Sequence, residues 1–208
     1  TSYIIDDTYQ CAGEYSFTIN TYGPTGMETD SPVTITGISG EASEMERVTL
    51  TIDMLSDNAN HVGDGGGLPA LIDGKVNTYY HTKWNAPVTT EAHYVQIKLN
   101  KPLKDLCFEY DARQSGVNNG GDVKAATIYG SMNGEFFESM GNEEFNLPTT
   151  NGGHATAKNN VSGKQAYNYI RFTPTARRDK DPLDYTVAGS AWWNMSEIYL
   201  YRIRHDEA

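Results

Sequence analysis

The sequence predicts an all-β fold, a two-sheet β-sandwich of the jelly-roll kind with a short β-rich extension at its N-terminal end. Three observations carry this. Apolar residues alternate with polar ones over several runs, as in half-buried strands. Glycine and tyrosine are abundant, 20 and 14 of 208 residues, and long polar segments separate the runs. No stretch shows the helical period over three turns. About eight short strands joined by long loops suit a sandwich whose function sits on the loops at one rim.

Residues 1–44 read as an extension. Tyr15, Phe17 and Ile19 alternate with polar neighbours, as do Val33 and Ile35, and Gly23-Pro24 and Ser39-Gly40 punctuate them. This part is either a strand pair packed on the sandwich or the tail of a preceding domain. The sandwich itself spans 45–208. Val48, Leu50, Ile52 and Met54 alternate with Thr49, Thr51 and Asp53 and predict a strand. The glycines of His61–Gly67 form a loop without the Lys-Ser/Thr and strand-to-helix context of a phosphate cradle. Val95, Ile97 and Leu99 share one strand face, and so do Leu106, Phe108 and Tyr110. Gln114–Asp122 is a loop. Val123–Ser131 is a strand turning at Asn133-Gly134, with the return strand beginning at Phe136-Phe137. Leu147–Lys164 reads as loop, Tyr167–Thr175 as strand, Arg177–Gly189 as charged loop, and Ser196–Arg204 as the last strand.

Charge excludes several functions. Sixteen basic against 27 acidic residues give a net charge of −11, so no basic patch is at hand for nucleic acid or anionic lipid. No run reaches the roughly 18 apolar residues of a membrane helix, and no membrane insertion is expected. The chain carries no signal peptide and no initiating Met, so Thr1 reads as the start of a processed or excised piece. Cys11 and Cys107 make no metal motif; they either pair in an oxidising compartment or stay as buried thiols. The elbow, zinc and Cys/His spacings of common hydrolases are missing. Glu143-Glu144 reads as solvated charge in a polar loop rather than a carboxylate pair for glycoside hydrolysis.

The chain is organised around Leu71–Thr82. Asp73-Gly74 is a tight-turn dipeptide, and Asp73, Asn77 and Thr78 crowd side-chain oxygens into six residues, the donors a hard cation prefers. Tyr79, Tyr80, His81, Thr82 and Trp84 follow as an aromatic and polar cluster. This segment resembles the "A-x-D-G-x-x-x-T-x-W-H-T" signature of the factor V/VIII type C, or discoidin, family, which includes many bacterial carbohydrate-binding modules. The resemblance continues through Tyr94–Leu99, Tyr110–Gln114, Ile128–Ser131 with Asn133-Gly134, Asn168–Phe172 and Ser196–Leu200. In order, these cover roughly the last three quarters of the chain.

The resemblance implies the same galactose-binding-like jelly roll, a structural calcium ion and a glycan at the loop rim. The calcium side chains carried over are Asp73, Thr78 and Glu197, with carbonyls from Ala70, Lys75 and Ser196. Lys75 departs from the Asp or Asn that many relatives carry. For the sugar, His81 and Arg113 fall at the family's contact positions; Asn118 (or Asn119), Trp192 and, upstream, Asp64 fit more loosely, with Trp84 in the same cluster. Alternation puts Tyr79 and His81 on one face and Tyr80 on the other; Tyr80 replaces the family's buried Trp and is assigned to the core. Of Trp84, Trp192 and Trp193, at least one is expected in the core. The expected function is non-catalytic binding of a galactose- or hexosamine-type glycan by one module of a larger chain, extracellular, at the cell surface or periplasmic in a bacterium. The alternatives are a protein- or cell-surface-adhesion domain, or a structural spacer in a secreted glycan-degrading protein.

Overall fold

In a computed structural model, residues 14–19, 33–38, 43–84 and 91–205 are described. The chain divides into two compact units, Thr1–Met45 with Arg204–Ala208, and Glu46–Ile203. In the first, β1 (Glu14–Ile19) pairs antiparallel with β2 (Val33–Ile38), the two runs in which alternation was found. β3 (Ser43–Arg47) lies where the two units meet in sequence.

The second unit holds the sandwich. Its strands are β4 (Leu55–Asp57), β5 (Tyr80–His81), β6 (Val95–Asp111), β7 (Val123–Ser131), β8 (Glu138–Asn146), β9 (His154–Ala157), β10 (Val161–Arg177), β11 (Asn194–Met195) and β12 (Glu197–His205). All pairings are antiparallel. β6 and β10 are each 17 residues long and carry the framework. The first part of β6 pairs with β4 and β10, and its last part with β12 and β9. β10 also pairs with β7, and β7 continues through β8 to β9. The only helical pieces among the described residues are two 3-10 turns, Ile52–Met54 and Leu68–Leu71.

Alternation places the core as expected along β6, where Val95, Ile97, Leu106, Phe108 and Tyr110 are buried. Rings from several strands meet there. Phe108 and Phe172 centroids are 5.0 Å apart, Phe145 and Phe172 6.0 Å, and Tyr110 and Phe145 5.4 Å. The chain of rings runs on from Phe172 to Trp193 at 6.2 Å and from Trp193 to Tyr80 at 5.4 Å. Tyr80 and Trp193 are fully buried, which settles both assignments made from sequence.

Four local readings need correction. Val48–Met54 is not a strand: the chain is irregular to Thr51, then makes a 3-10 turn that leaves Ile52 exposed, and the short β4 follows. The turn after Asn133-Gly134 is longer than a two-residue hairpin, so the return strand begins at Glu138 and Phe136 stays 80% exposed. Leu147–Lys164 contains β9 and the start of β10, whose polar outer residues hid the buried Ala155 and Val161. Finally, Glu143 is no solvated loop charge. It sits fully buried on β8, and Oε1 accepts the Phe108 N–H at 2.7 Å. The reason lies in the register: Tyr110 faces Ala155 of β9 and Leu106 faces Val161 of β10, and between these contacts the chain turns away. Phe108 is left in the gap, and the Glu143 carboxyl fills it. Cys107 is a buried free thiol, and Cys11 lies outside the described residues.

Candidate functional site

Two adjacent-residue pairs build the rim. β5 pairs with β11, Tyr80 opposite Met195 and His81 opposite Asn194. Thr82 locks this ladder to the next turn. Its N–H donates to the Trp193 carbonyl at 3.0 Å and its hydroxyl accepts the Trp193 N–H at 2.9 Å. Because neighbours in an extended chain point to opposite sides, burying Tyr80 and Trp193 turns His81 and Trp192 to the rim. There the imidazole and indole stack with centroids 5.3 Å apart.

His81 is 5% exposed. Its Nδ1 donates to the Thr82 carbonyl at 2.6 Å. A carbonyl only accepts, so the neutral ring keeps Nε2 as an acceptor. Burial holds the imidazole pKa below its usual value, against the Thr82 carbonyl, which favours the cation. Tyr79 meets His81 edge-on at 6.5 Å and lies beneath the Arg113 guanidinium, whose central carbon is 3.7 Å from the ring centroid. Arg113 pairs with neither Asp111 nor Asp122. Asp111 is held by His154 at 2.7 Å and Tyr199 at 2.6 Å, and Asp122 by Arg178 at 3.0 Å. Arg113 makes no ion pair among the described residues, so its donors remain for a ligand.

Asp64 joins the same cluster from the 61–67 loop. It accepts the Tyr79 hydroxyl at 2.7 Å and the Trp84 indole N–H at 2.9 Å. The Tyr79 hydrogen bond holds its carboxyl below the ordinary range, with Trp84, His81 and Arg113 adding to that against desolvation. The approach needs glycine at 65, where φ is +92° and a Cβ would sit 2.5 Å from the Tyr79 carbonyl oxygen. Trp84 is 47% exposed and stacks on His61 at 5.3 Å with the planes 4° apart. Thus Asp64, His81, Trp84, Arg113 and Trp192, singled out from sequence, connect through direct contacts once Tyr79 is added.

Two details differ from the sequence reading. Trp192 is flanked by His81 and by Arg177, whose guanidinium carbon is 3.9 Å from its ring, so its π surface is engaged within the protein. Arg177 is itself buried, donating to the Ser190 and Trp192 carbonyls at 3.0 and 2.8 Å. Of the two candidate asparagines, Asn119 spends its amide on the Asn194 side chain at 2.9 Å and the Gly121 N–H at 3.1 Å. Asn118, exposed with φ of 59°, is the one left able to meet a ligand. Tyr79 and Arg177 were missed as site residues. Strand alternation had already placed Tyr79 beside His81, whereas nothing local to Arg177 tied it to Trp192.

The turn after Leu71 brings a second set together. The buried Glu197 at the start of β12 accepts the Gly74 and Lys75 N–H groups at 2.7 and 3.0 Å. Thr78 Oγ1 lies 2.9 Å from both Asp73 oxygens and 3.0 Å from the Lys75 carbonyl oxygen. The Ser196 hydroxyl donates to the Val76 carbonyl at 3.0 Å and its N–H to the Asp111 carbonyl at 2.8 Å. Ala70 lies buried in the second 3-10 turn. Among the described residues no three His, Cys, Asp or Glu side chains gather as a metal-holding group. The oxygens here are two carboxylates, a hydroxyl and a carbonyl. Burial first, with Asp73 adding to it and the Lys75 and Gly74 N–H groups opposing, pushes Glu197 up to about 7.

A two-sheet jelly roll with an aromatic, cationic and anionic cluster on one loop rim defines a small recognition module. The chain belongs to the F5/8 type C domain family, whose model matches residues 56–197. Solved structures share the fold at low identity. Module CBM32-3 of a family 31 glycoside hydrolase from Clostridium perfringens is 18% identical with a TM-score of 0.50, over 75% of this chain and 94% of that one. The C-terminal domain of a chitobiase from Bacteroides fragilis is 17% identical with a TM-score of 0.50, over 78% of this chain and 100% of that one. A Clostridium perfringens CBM32 module in complex with GalNAc-β-1,3-galactose is 21% identical with a TM-score of 0.45, over 70% and 92%. No curated sequence relative matches.

Proposed function

We propose that the chain is a non-catalytic carbohydrate-binding module that holds a galactose- or hexosamine-type sugar at the Tyr79–His81–Arg113 rim. The observation that carries this is the Arg113 guanidinium over the Tyr79 ring with no ion pair among the described residues, beside the Asp64 and His81 acceptors. Adjacent sugar hydroxyls each need a donor or an acceptor, and the apolar C–H face of a pyranose needs a ring to cover it. Arg113 supplies the forked donors, Asp64 and His81 Nε2 the acceptors, and the half-exposed Trp84 the ring. Membership of the family, with bacterial carbohydrate-binding modules among the proteins sharing the fold, supports the reading. It also favours a place in a larger secreted or surface-attached bacterial protein.

Asp73, Thr78, Glu197 and the Lys75 carbonyl would hold calcium, whose chemistry here is structural: it neutralises two facing carboxylates and ties the turn to β12. The test of the sugar site is a glycan array in calcium-containing buffer, the parent beside Arg113→Ala. Binding to terminal galactose or hexosamine that vanishes in a folded variant is expected. Binding retained by Arg113→Ala would place the pocket elsewhere, and silence of the parent across the array would favour a spacer or adhesion role.

A further inference from the structure

We propose a second pyranose-binding site on the outer face of the sheet, centred on Arg171 and distinct from the rim. Ile170 and Phe172 of β10 are fully buried, so Arg171 between them points outward. Its cross-strand partners are Gln96 on β6 and Tyr129 on β7, each likewise flanked by buried residues. Phe137, from the turn before β8, and Tyr94, just ahead of β6, close over the guanidinium. Its central carbon is 3.6 Å from the Phe137 ring centroid and 4.1 Å from that of Tyr94. Nε donates to Gln96 Oε1 at 2.8 Å. The result is a groove of about 190 Å³ that Tyr129, Thr173 and Glu91 also line.

Two rings against its central carbon and one hydrogen bond hold this guanidinium in place, so less of its freedom is left to lose when a ligand arrives. In a chain of net charge −11, Arg171 has no carboxylate within ion-pair range among the described residues. Arg178 and Lys124, by contrast, both have one. The arrangement repeats that of the rim, where Arg113 lies on Tyr79 with spare donors. A protein partner needs a surface of roughly 800 Å² a side, far more than this groove, and an acidic molecule repels anionic polymers. The chemistry that fits is one neutral pyranose: its C–H face on Tyr129, adjacent hydroxyls on the Arg171 Nη groups, and the Thr173 hydroxyl exchanging a further bond. The ligand class rests on the glycan-binding reading of the rim; the geometry does not. Two sites on one module would grip a polyvalent glycan by avidity.

The experiment is an amide chemical-shift titration of the whole chain with galactose, N-acetylgalactosamine, N-acetylglucosamine, glucose and, as the anionic control, glucuronate in turn, for the parent, Arg113→Ala, Arg171→Ala and Phe137→Ala. At least one sugar is expected to move amides around Tyr129 and Arg171 in the parent and in Arg113→Ala, and to lose that response in Arg171→Ala and Phe137→Ala while the rim still responds. Phe137 lies in a turn, so its variant answers the question if Arg171→Ala misfolds. Rim shifts without groove shifts would overturn the second site and leave the rim standing. Groove shifts with glucuronate alone would overturn the neutral-sugar assignment. Shifts in neither place would overturn both readings.

Discussion

Replacing Glu143 with glutamine should remove most of one steep pH dependence of stability. The carboxyl is fully buried, Oε1 takes the Phe108 N–H, and among the described residues no cation sits beside it and Oε2 has no partner. Burial pushes it up to about 9 from an ordinary value of 4.5, with the Phe108 hydrogen bond opposing and Glu109 reinforcing. The folded protein therefore keeps a proton on Glu143 where the unfolded chain has lost it. The group's contribution is fully present below pH 4.5 and is lost as pH rises towards 9. The slope is about 1.4 kcal/mol per pH unit, so by pH 7 it amounts to about 3 kcal/mol. Glutamine keeps the acceptor for Phe108 and has no charge to lose. Urea unfolding of parent and Glu143→Gln at pH 5, 6, 7 and 8 should show the variant gaining on the parent at each step, by about 1 to 2 M in midpoint at pH 7. His93 runs the other way. Burial lowers it to about 4, so its contribution grows as pH rises from there to its ordinary 6.5; the parent-to-variant difference cancels it. Parallel curves would refute the argument, since they would mean that Glu143 ionises in the fold.

Other outcomes follow from the two rim clusters. Tyr79→Phe deletes the strongest support of the Asp64 anion while leaving the ring under Arg113. Titration calorimetry with a bound sugar should show affinity falling about fivefold, the worth of roughly 1 kcal/mol, with the melting temperature nearly unchanged. Gly121→Ala would press its Cβ into the Asn194 amide and to 2.7 Å from the Trp192 ring; both melting temperature and sugar affinity should drop, and a variant that loses neither would mean that the 114–122 loop moves freely. For the proposed calcium, ion at a hundred times its dissociation constant adds about 2.7 kcal/mol, so a chelator should lower the melting temperature by about 5 to 10 °C and Asp73→Ala should make the protein indifferent to it. An unchanged melting curve would remove the ion from the account.

The sequence was most legible where a period and a burial demand agreed. Val123–Ser131 emerged with its bounds unchanged, and Val95, Ile97, Phe108 and Tyr110 fell inward along β6, because each inward position carries a large apolar side chain. It misled where polar composition and burial part company. The 147–164 segment and Glu143-Glu144 read as solvent-facing, yet β9 and β10 bury small or isolated apolar residues there, and Glu143 repairs a gap between strands that no local pattern reveals. Val48–Met54 failed for the opposite reason: its alternation is clean, but after the extended Thr51 the chain enters a 3-10 turn and presents Ile52 to solvent. The rim divides the same way. His81, Asp64 and Trp84 could be found because they lie in or beside one short signature, and Arg113 because it falls in the matching Tyr110–Gln114 stretch, whereas the Arg177 contact with Trp192 joins β10 to the stretch before β11 and depends on the fold.

That dependence says how firmly the rim is held. Each of its two central aromatics is the chain neighbour of a buried one: His81 follows Tyr80, and Trp192 precedes Trp193, with Thr82 bonding the two stretches together. Neither rim ring can rotate outward as a unit with its backbone without drawing Tyr80 or Trp193 from the core, and losing an aromatic there costs about 3 to 5 kcal/mol by analogy with its truncation. Arg113 is differently placed. It comes from the loop beyond β6, and among the described residues its hold is the face of Tyr79, a contact worth about 0.5 to 1 kcal/mol where solvent reaches it. The rim thus combines a fixed wall of His81, Trp192 and Asp64 with one arginine held by a single ring. On the proposed reading, a sugar that spanned both would pay little to order the wall and would select the arginine's position, so differences among sugars should be read in Arg113 and Tyr79 before anywhere else in the candidate site.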